Sequence, residues 1–388
     1  MRVPKGFKAA GVQSGIKKEG LDLALIYSEV SCIAVGAFTS NKVKAAPVLY
    51  SKKVINRGKA KAIVANSGCA NACTGKEGLA NAKRMAELTA RLLGILPQEV
   101  LVASTGVIGE RLPIEKVAQA LPRAVEELST DGFLKAAEAI MTTDTVPKIC
   151  WDTVKVDGEE GVILGIAKGA GMINPNLATM LCFILTDLKI PLPELKQTFK
   201  EALGLSFNAI TVDGEQSTND SVFLLANGLK GLVPPHYQAK FKEALVEVMR
   251  ELAFQIVKDA EGATMVVRVI VGGGKNLKEA KKVAHRVANS LLVKTALFGR
   301  DPNWGRIMAA LGDSGVPIRE NRVSLKINGI PVFEKGIPVP YKEKLQRTFL
   351  ESKEIYIEID IGRGNSHFEV LTCDLSCDYV KINSQYTT

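Results

Sequence analysis

Lys168-Gly169-Ala170-Gly171-Met172-Ile173-Asn174-Pro175-Asn176-Leu177-Ala178-Thr179-Met180-Leu181 places a glycine-rich turn, with one lysine at its start, ahead of a small-residue junction that opens an apolar strand. A threonine at such a junction can act as a nucleophile twice. It can attack its own preceding carbonyl and cut the chain between Ala178 and Thr179. It can then use the freed α-amino group as its general base. Ala178 is small and leaves that carbonyl open, and Asn174-Pro175-Asn176 supplies a tight turn just upstream. Lys168 stands eleven residues before Thr179, within reach of the nucleophile or of a substrate carboxylate if the segment folds back.

Working outward, a chain of 388 residues that is 46% hydrophobic can bury a large core and divides into two or three domains. The N-terminus, Met1-Arg2-Val3-Pro4-Lys5-Gly6-Phe7-Lys8, has no apolar stretch behind its charges. The apolar runs fall far short of the ~20 residues that a membrane helix needs. A cytoplasmic protein with no membrane partner is expected. Seven scattered cysteines and three isolated histidines give no zinc spacing, so reduced structural thiols and no metal are predicted. The formal charge of +9 is spread along helices and accompanied by only 6% aromatic residues, which argues against nucleic acid and for anionic small molecules.

Helical and strand patterns alternate. Residues 79–93 carry apolar side chains at three-to-four spacing and stop at Gly94. Pro113 opens a second helix that Pro122 is expected to interrupt, and a third follows Asp131. Thr153 to Ala167 reads as two strands around a turn, and Thr179 to Thr186 as a strand buried on both faces. Leu192–Leu203, ending at Gly204, the region 237–260 and Lys278–Ala288 read as helices; Met265–Val271 reads as a strand. Ile355, Ile357, Ile359 and Ile361 alternate with polar residues, and Asn328-Gly329 marks a hairpin turn. Hairpins among helices predict an α/β layered sandwich with antiparallel strands and smaller α+β modules in the second half. The boundaries are drawn near 190 and 275, giving segments 1–190, 191–275 and 276–388.

Other nucleophile systems are poorly supported, since there is no G-x-S-x-G elbow. Acyl transfer needs donors for a tetrahedral oxyanion. Ser104-Thr105-Gly106 follows the strand-like Val100-Leu101-Val102, so the Thr105 hydroxyl and Gly106 N–H can converge as two such donors. The alternative for each residue is ordinary: Thr179 as a strand opener, Glu261 as a turn cap through Gly262, and Asn383 and Thr388 as terminal residues. Asp213 and Asp220 are read as holding a loop.

Several blocks carry a resemblance that runs through the chain in order: Asn66-Ser67-Gly68-Cys69-Ala70-Asn71, Ser104-Thr105-Gly106-Val107-Ile108-Gly109, Met141-Thr142-Thr143-Asp144-Thr145, the Thr179 block, Thr218-Asn219-Asp220, Glu261-Gly262-Ala263-Thr264 and Tyr379-Val380-Lys381-Ile382-Asn383. Together they closely resemble the ornithine acetyltransferase (glutamate N-acetyltransferase) family. The resemblance implies the layered fold of the self-processing aminopeptidases and ornithine acetyltransferases. It also implies cleavage before Thr179, two chains that stay associated as a heterodimer and oligomerise further, and ping-pong transfer of acetyl from N-acetylornithine to glutamate, with ornithine and N-acetylglutamate as products. Thr105 and Gly106 are implied as the oxyanion hole. Thr142, Lys168, Thr179, Glu261, Asn383 and Thr388 are implied as substrate-binding, the last two on a C-terminal tail that returns to the active site. No resident cofactor is implied, and acetyl-CoA stays open as a further acetyl donor. Cys69 replaces the usual asparagine and Met265 the usual lysine of the family pattern, which bears on loop packing and on the charge near Glu261. An aminopeptidase or amidohydrolase of the related fold, with water as acceptor, and a non-enzymatic ligand-binding protein are the competing readings.

Overall fold

An unbroken apolar run forms a strand only where both faces are covered, and Leu181–Thr186 (β7) is buried at every position. The computed structural model describes residues 1–174, 180–340, 345, 349 and 352–385. The chain forms two units, one from Met1–Asn208 and Glu215–Ile256, the other from Ala209–Gly214 and Val257–Thr387. The 191–275 segment, read from sequence as a small domain, supplies a helix, a strand and most of a second helix to the first unit and a strand to the second.

In the first unit an eight-stranded sheet runs in the order β4-β3-β2-β8-β7-β6-β5, with β1 paired to β2. These strands are β1 Phe7–Val12, β2 Leu23–Phe38, β3 Lys59–Asn66, β4 Val100–Ser104, β5 Lys148–Val156, β6 Glu159–Lys168, β7 and β8 Ser221–Ala226. β2 belongs to both halves of the sheet. Its first part pairs with β1 and β3, its last part from Ile33 onward with β8, and the pairing with β3 shifts register between Tyr27 and Cys32 before ending at Ile33. β5 and β6 form the predicted hairpin around Asp157-Gly158, both at positive φ.

The period-two alternation sorts side chains into layers. On one face, Leu23, Leu25, Val64 and Val102 pack under helices α2 (Gly75–Leu93) and α3 (Ile114–Glu126). On the other, Ile26, Ile63, Leu101, Leu164, Ile166, Phe183 and Phe223 share a core with α4 (Phe133–Ala139), and Phe183 stacks on Phe223 at 5.7 Å. Gly165 and Ile184 turn instead toward Leu252 and Val248 of α6 (Gln238–Lys258). The unit is thus the layered α/β sandwich expected. Pro122 does not interrupt its helix: α3 runs through it to Glu126, held by buried Val117, Leu121 and Ala124, so packing outweighs the one missing amide. Likewise α5 (Leu192–Leu205) continues past Gly204, and Ser206 ends it by donating to the Ala202 carbonyl.

In the second unit a six-stranded sheet is ordered β12-β11-β10-β13-β9-β14. Its strands are β9 Val266–Gly274, β10 Ser324–Ile327, β11 Ile330–Glu334, β12 Ile337–Pro338, β13 Glu354–Asp360 and β14 Ser366–Cys373. Asn328-Gly329 turns β10 into β11 as predicted. Ile355, Ile357 and Ile359 of β13 join Val267, Val269 and Val271 of β9 and Ala280, Val283 and Val287 of α7 (Leu277–Ala288) in one core. β13 and β14 do not pair with each other; β9 lies between them, parallel to the first and antiparallel to the second.

The first core depends on a close approach of helix to strand. A Cβ on Gly11 of β1 would fall 2.1 Å from the Lys135 carbonyl oxygen of α4, and one on Gly132 would fall 1.8 Å from the Ala9 oxygen. Because backbone rather than a flexible side chain is in the way, Gly11→Ala is expected to cost about 1–3 kcal/mol. A thermal unfolding midpoint equal to the parent's would refute this.

Candidate active site

The sheet gathers a set of strand ends at one edge of the first unit. β3 ends at Asn66, the parallel β4 at Ser104 and β6 at Lys168, while β7 and β8 begin at Leu181 and Ser221. The segments leaving or entering these ends are the blocks singled out in the sequence.

Behind the site lies a buried polar cross-link. Asn66 accepts from the Ser104 hydroxyl at 2.6 Å and donates to the Cys69 carbonyl at 2.8 Å. Asn219 donates to the Ala70 and Ser104 carbonyls at 2.6 and 2.8 Å. Every one of these groups is buried, so each must find a partner, and together the partners fix the two loops against each other. The loops touch at Gly106: its φ is +130°, and a Cβ there would sit 2.3 Å from the Gly68 carbonyl carbon. Only glycine fits that backbone and that gap. No hydrogen bond within the described residues uses the Gly106 N–H. Cys69, where the resemblance expects asparagine, is buried in this contact, bridging to Thr105 and Val107, and burial raises its thiol pKa.

At the front, the buried Lys168 ammonium donates to the Thr142 hydroxyl at 2.7 Å and to the Thr105 hydroxyl at 3.4 Å. Asp144 holds this group in place. Its Oδ1 accepts from Lys148 Nζ at 2.7 Å and the Gly169 N–H at 2.6 Å, its Oδ2 accepts from the Thr142 N–H at 3.0 Å, and Lys168 Nζ lies 3.8 Å from Oδ2. Burial by itself would raise the Asp144 pKa, but Lys168 and Lys148 overcome it and hold the carboxyl down at about 2. On the far side of the glycine-rich stretch, the Met180 N–H donates to Asp220 Oδ1 at 2.9 Å and the Met180 carbonyl accepts from the Ser221 N–H at 3.1 Å. Burial pushes the Asp220 carboxyl well above the usual carboxylate range, against the Met180 N–H and the Lys168 charge.

The structure therefore joins Thr105, Gly106, Thr142 and Lys168. In the second unit it joins Glu261 to Asn383, whose amide donates to Glu261 Oε2 at 2.7 Å. Asn383 is not a frayed terminal residue; it lies in the helix Cys377–Gln385. Met265 is buried in the core of that unit. Ala178, Thr179 and Thr388 lie outside the described residues. The sequence reading missed Asp144 and Lys148 as site residues. Asp144 lies within the Met141–Thr145 motif, yet its pairing with two lysines follows only from the hairpin register that sets Lys148 opposite Ala167, next to Lys168.

This arrangement of an ammonium, two hydroxyls and a free amide suits a carboxylate and a developing oxyanion side by side. A model of the ArgJ family matches residues 8–388. The chain belongs to the ArgJ family. The arginine biosynthesis bifunctional protein ArgJ of Thermotoga neapolitana is 46% identical over 398 residues, covering 100% of both chains. That of Symbiobacterium thermophilum is 46% identical over 393 residues, covering 99% of this chain and 98% of its own. The crystal structure of arginine biosynthesis bifunctional protein argJ from Bacillus halodurans is 36% identical, with a TM-score of 0.51, and covers 53% of this chain and 98% of that one. No helix among the described residues of this ArgJ-family chain is long and apolar enough to cross a membrane.

Asp144 gives a test of the electrostatics. Its pKa is depressed in the fold, so its contribution is fully present above the ordinary carboxyl value of 3.8 and is lost as pH falls toward about 2. Asp144→Asn is expected to lower stability at neutral pH by about 3–5 kcal/mol, because it takes a carboxylate from two buried ammonium groups. The variant should also lose less stability than the parent when melted at successively lower pH through that window. Parallel curves for the two proteins would contradict the assignment.

Proposed function

We propose that this protein is a cytoplasmic glutamate N-acetyltransferase of arginine biosynthesis, transferring acetyl from N2-acetyl-L-ornithine to L-glutamate through an acetyl-Thr179 enzyme. The observation that carries the reading is the convergence, at the strand ends beside Met180, of Lys168, Thr142, Thr105 and a Gly106 N–H that is unengaged among the described residues. Thr179 immediately precedes Met180 in the chain, and the N–H and carbonyl of Met180 are both hydrogen-bonded.

In the maturation step the Thr179 hydroxyl adds to the Ala178 carbonyl, the peptide C–N bond breaks, and an ester forms. Water hydrolyses the ester, leaving an Ala178 carboxylate and a free Thr179 amine. That amine then accepts the hydroxyl proton as Thr179 attacks the acetyl carbonyl, and Thr105 Oγ1 and the Gly106 N–H stabilise the oxyanion. Ornithine leaves with the proton, and the glutamate amine takes the acetyl group from the ester. Lys168 with Thr142 receives the α-carboxylate; the family resemblance assigns Glu261, Asn383 and Thr388 to substrate binding as well. The two cut chains remain a heterodimer that oligomerises further. The Bacillus halodurans chain favours the cut: it is matched nearly end to end by 53% of this chain, close to the share that follows Ala178. The word bifunctional in the relatives' names favours acetyl-CoA as a second acetyl donor.

The denatured protein is expected to give two species of about 19 and 22 kDa, the shares of 41.7 kDa on either side of 178/179, with threonine at the second N-terminus. Thr179→Ala should stay whole and transfer no acetyl. An uncut variant with full activity would end the mechanism.

A further inference from the structure

Lys17 is a cation that the mechanism above does not use. The turn that carries it is built around Asp22, whose carboxylate accepts the N–H groups of Ser14, Gly15 and Lys17 at 2.5, 3.1 and 2.9 Å. These three amides engage both carboxylate oxygens and fix the Lys17 backbone. Its aliphatic stem lies against Gly68, where a Cβ would come within 2.9 Å of Lys17 Cγ. Gly68 is in turn the residue that packs on Gly106.

The other end of the side chain reaches the same place by a separate route. Lys17 Nζ donates to the Met141 carbonyl at 3.2 Å, one residue before Thr142, whose hydroxyl takes the Lys168 ammonium. So Lys17 lies beside both the oxyanion loop and the Thr142 segment, and each contact is made within the first unit. Its electrostatic state is unusual for a lysine. It has one hydrogen bond for three donors and makes no ion pair among the described residues. Burial lowers its pKa, opposed by Asp22 and Asp144 and reinforced by Lys168. A half-buried ammonium with two spare donors and no carboxylate of its own is poised to take one from a ligand.

We propose that Lys17 is a specificity-determining residue that receives the second carboxylate of a dicarboxylic amino-acid acceptor, whose first carboxylate is held by Lys168 and Thr142. This rests on the acyl-transfer reading of the site and deepens it. A single site that serves a donor with a cationic side chain and an acceptor with an anionic one needs a group that tells them apart. Lys17 attracts the anionic side chain and repels the cationic product, and so favours exchange of ornithine for glutamate.

The test compares L-glutamate with L-glutamine, which match in shape and differ in charge, by calorimetry on the purified full-length protein and on Lys17→Met and Lys17→Arg. Lys17→Met is expected to weaken glutamate binding roughly tenfold or more and to move glutamine by less than about threefold. Lys17→Arg should restore most of the preference for glutamate. Loss of affinity for both ligands alike, or for neither, would overturn the role, because a merely structural lysine has no reason to distinguish them. Acetyl transfer measured on the same samples separates the two readings. A parent that binds glutamate through Lys17 but transfers no acetyl sinks the acyl-transfer reading alone; a parent that transfers acetyl while Lys17→Met keeps its preference sinks the Lys17 assignment alone.

Discussion

A carboxylate with no exposed side-chain surface, set between two buried ammonium groups, is the constraint on which the site depends. Asp144 ties together the start of β5 through Lys148, the end of β6 through the Gly169 amide, and the Thr142 turn through its own backbone N–H. The open end of the β5–β6 hairpin, from which the glycine-rich stretch departs, is thereby locked. Removing such a charge from water is costly, and only full satisfaction of its oxygens makes the arrangement tenable. The return is orientation: Lys168 has a fixed direction, and its amine faces the Thr142 and Thr105 hydroxyls.

The same logic extends backwards into the core. Asn66, Ser104 and Asn219 come from three separate stretches of chain and cross-link behind Thr105 and Gly106. Their polar atoms have no water to fall back on, so displacing one leaves several unsatisfied. Small residues at 68, 70 and 72 let the two loops approach closely, and Gly106 adopts the positive φ that this contact requires. An amide that is rigid and unengaged needs little reorganisation when negative charge develops in front of it.

How much of this was legible in the sequence depended on how far apart the partners lie. Helix 79–93, the Asp157-Gly158 and Asn328-Gly329 turns and the alternation of Ile355 to Ile361 are local signals, and each took its expected form. Pro122 and Gly204 misled because tertiary packing overrode a local propensity. The span of β2 was missed: its first half, Leu23-Ala24-Leu25-Ile26, does not alternate, and its second half follows a register shift. At the site, Thr105, Gly106, Thr142 and Lys168 were found by their motifs. Lys17 was not, because its partner carbonyl lies 124 residues away and nothing in its own neighbourhood marks it.

One property of the sheet order bears on what cleavage would do to the folded molecule. β7 and β8 follow position 178 in the chain, yet in the sheet they stand between β2 and β6, both of which precede it. A cut at that position would leave the amino-terminal piece with a gap two strands wide, bounded by two raw apolar edges that only the other piece can fill. The carboxy-terminal piece would likewise own a central strand pair with no neighbour on either side. Severing the peptide bond would therefore not create two domains. It would create one sheet with two owners, whose halves could part only by unfolding, and separately made halves would each present open edges prone to aggregation. Cutting after folding, rather than assembly from two chains, is the route that this topology favours.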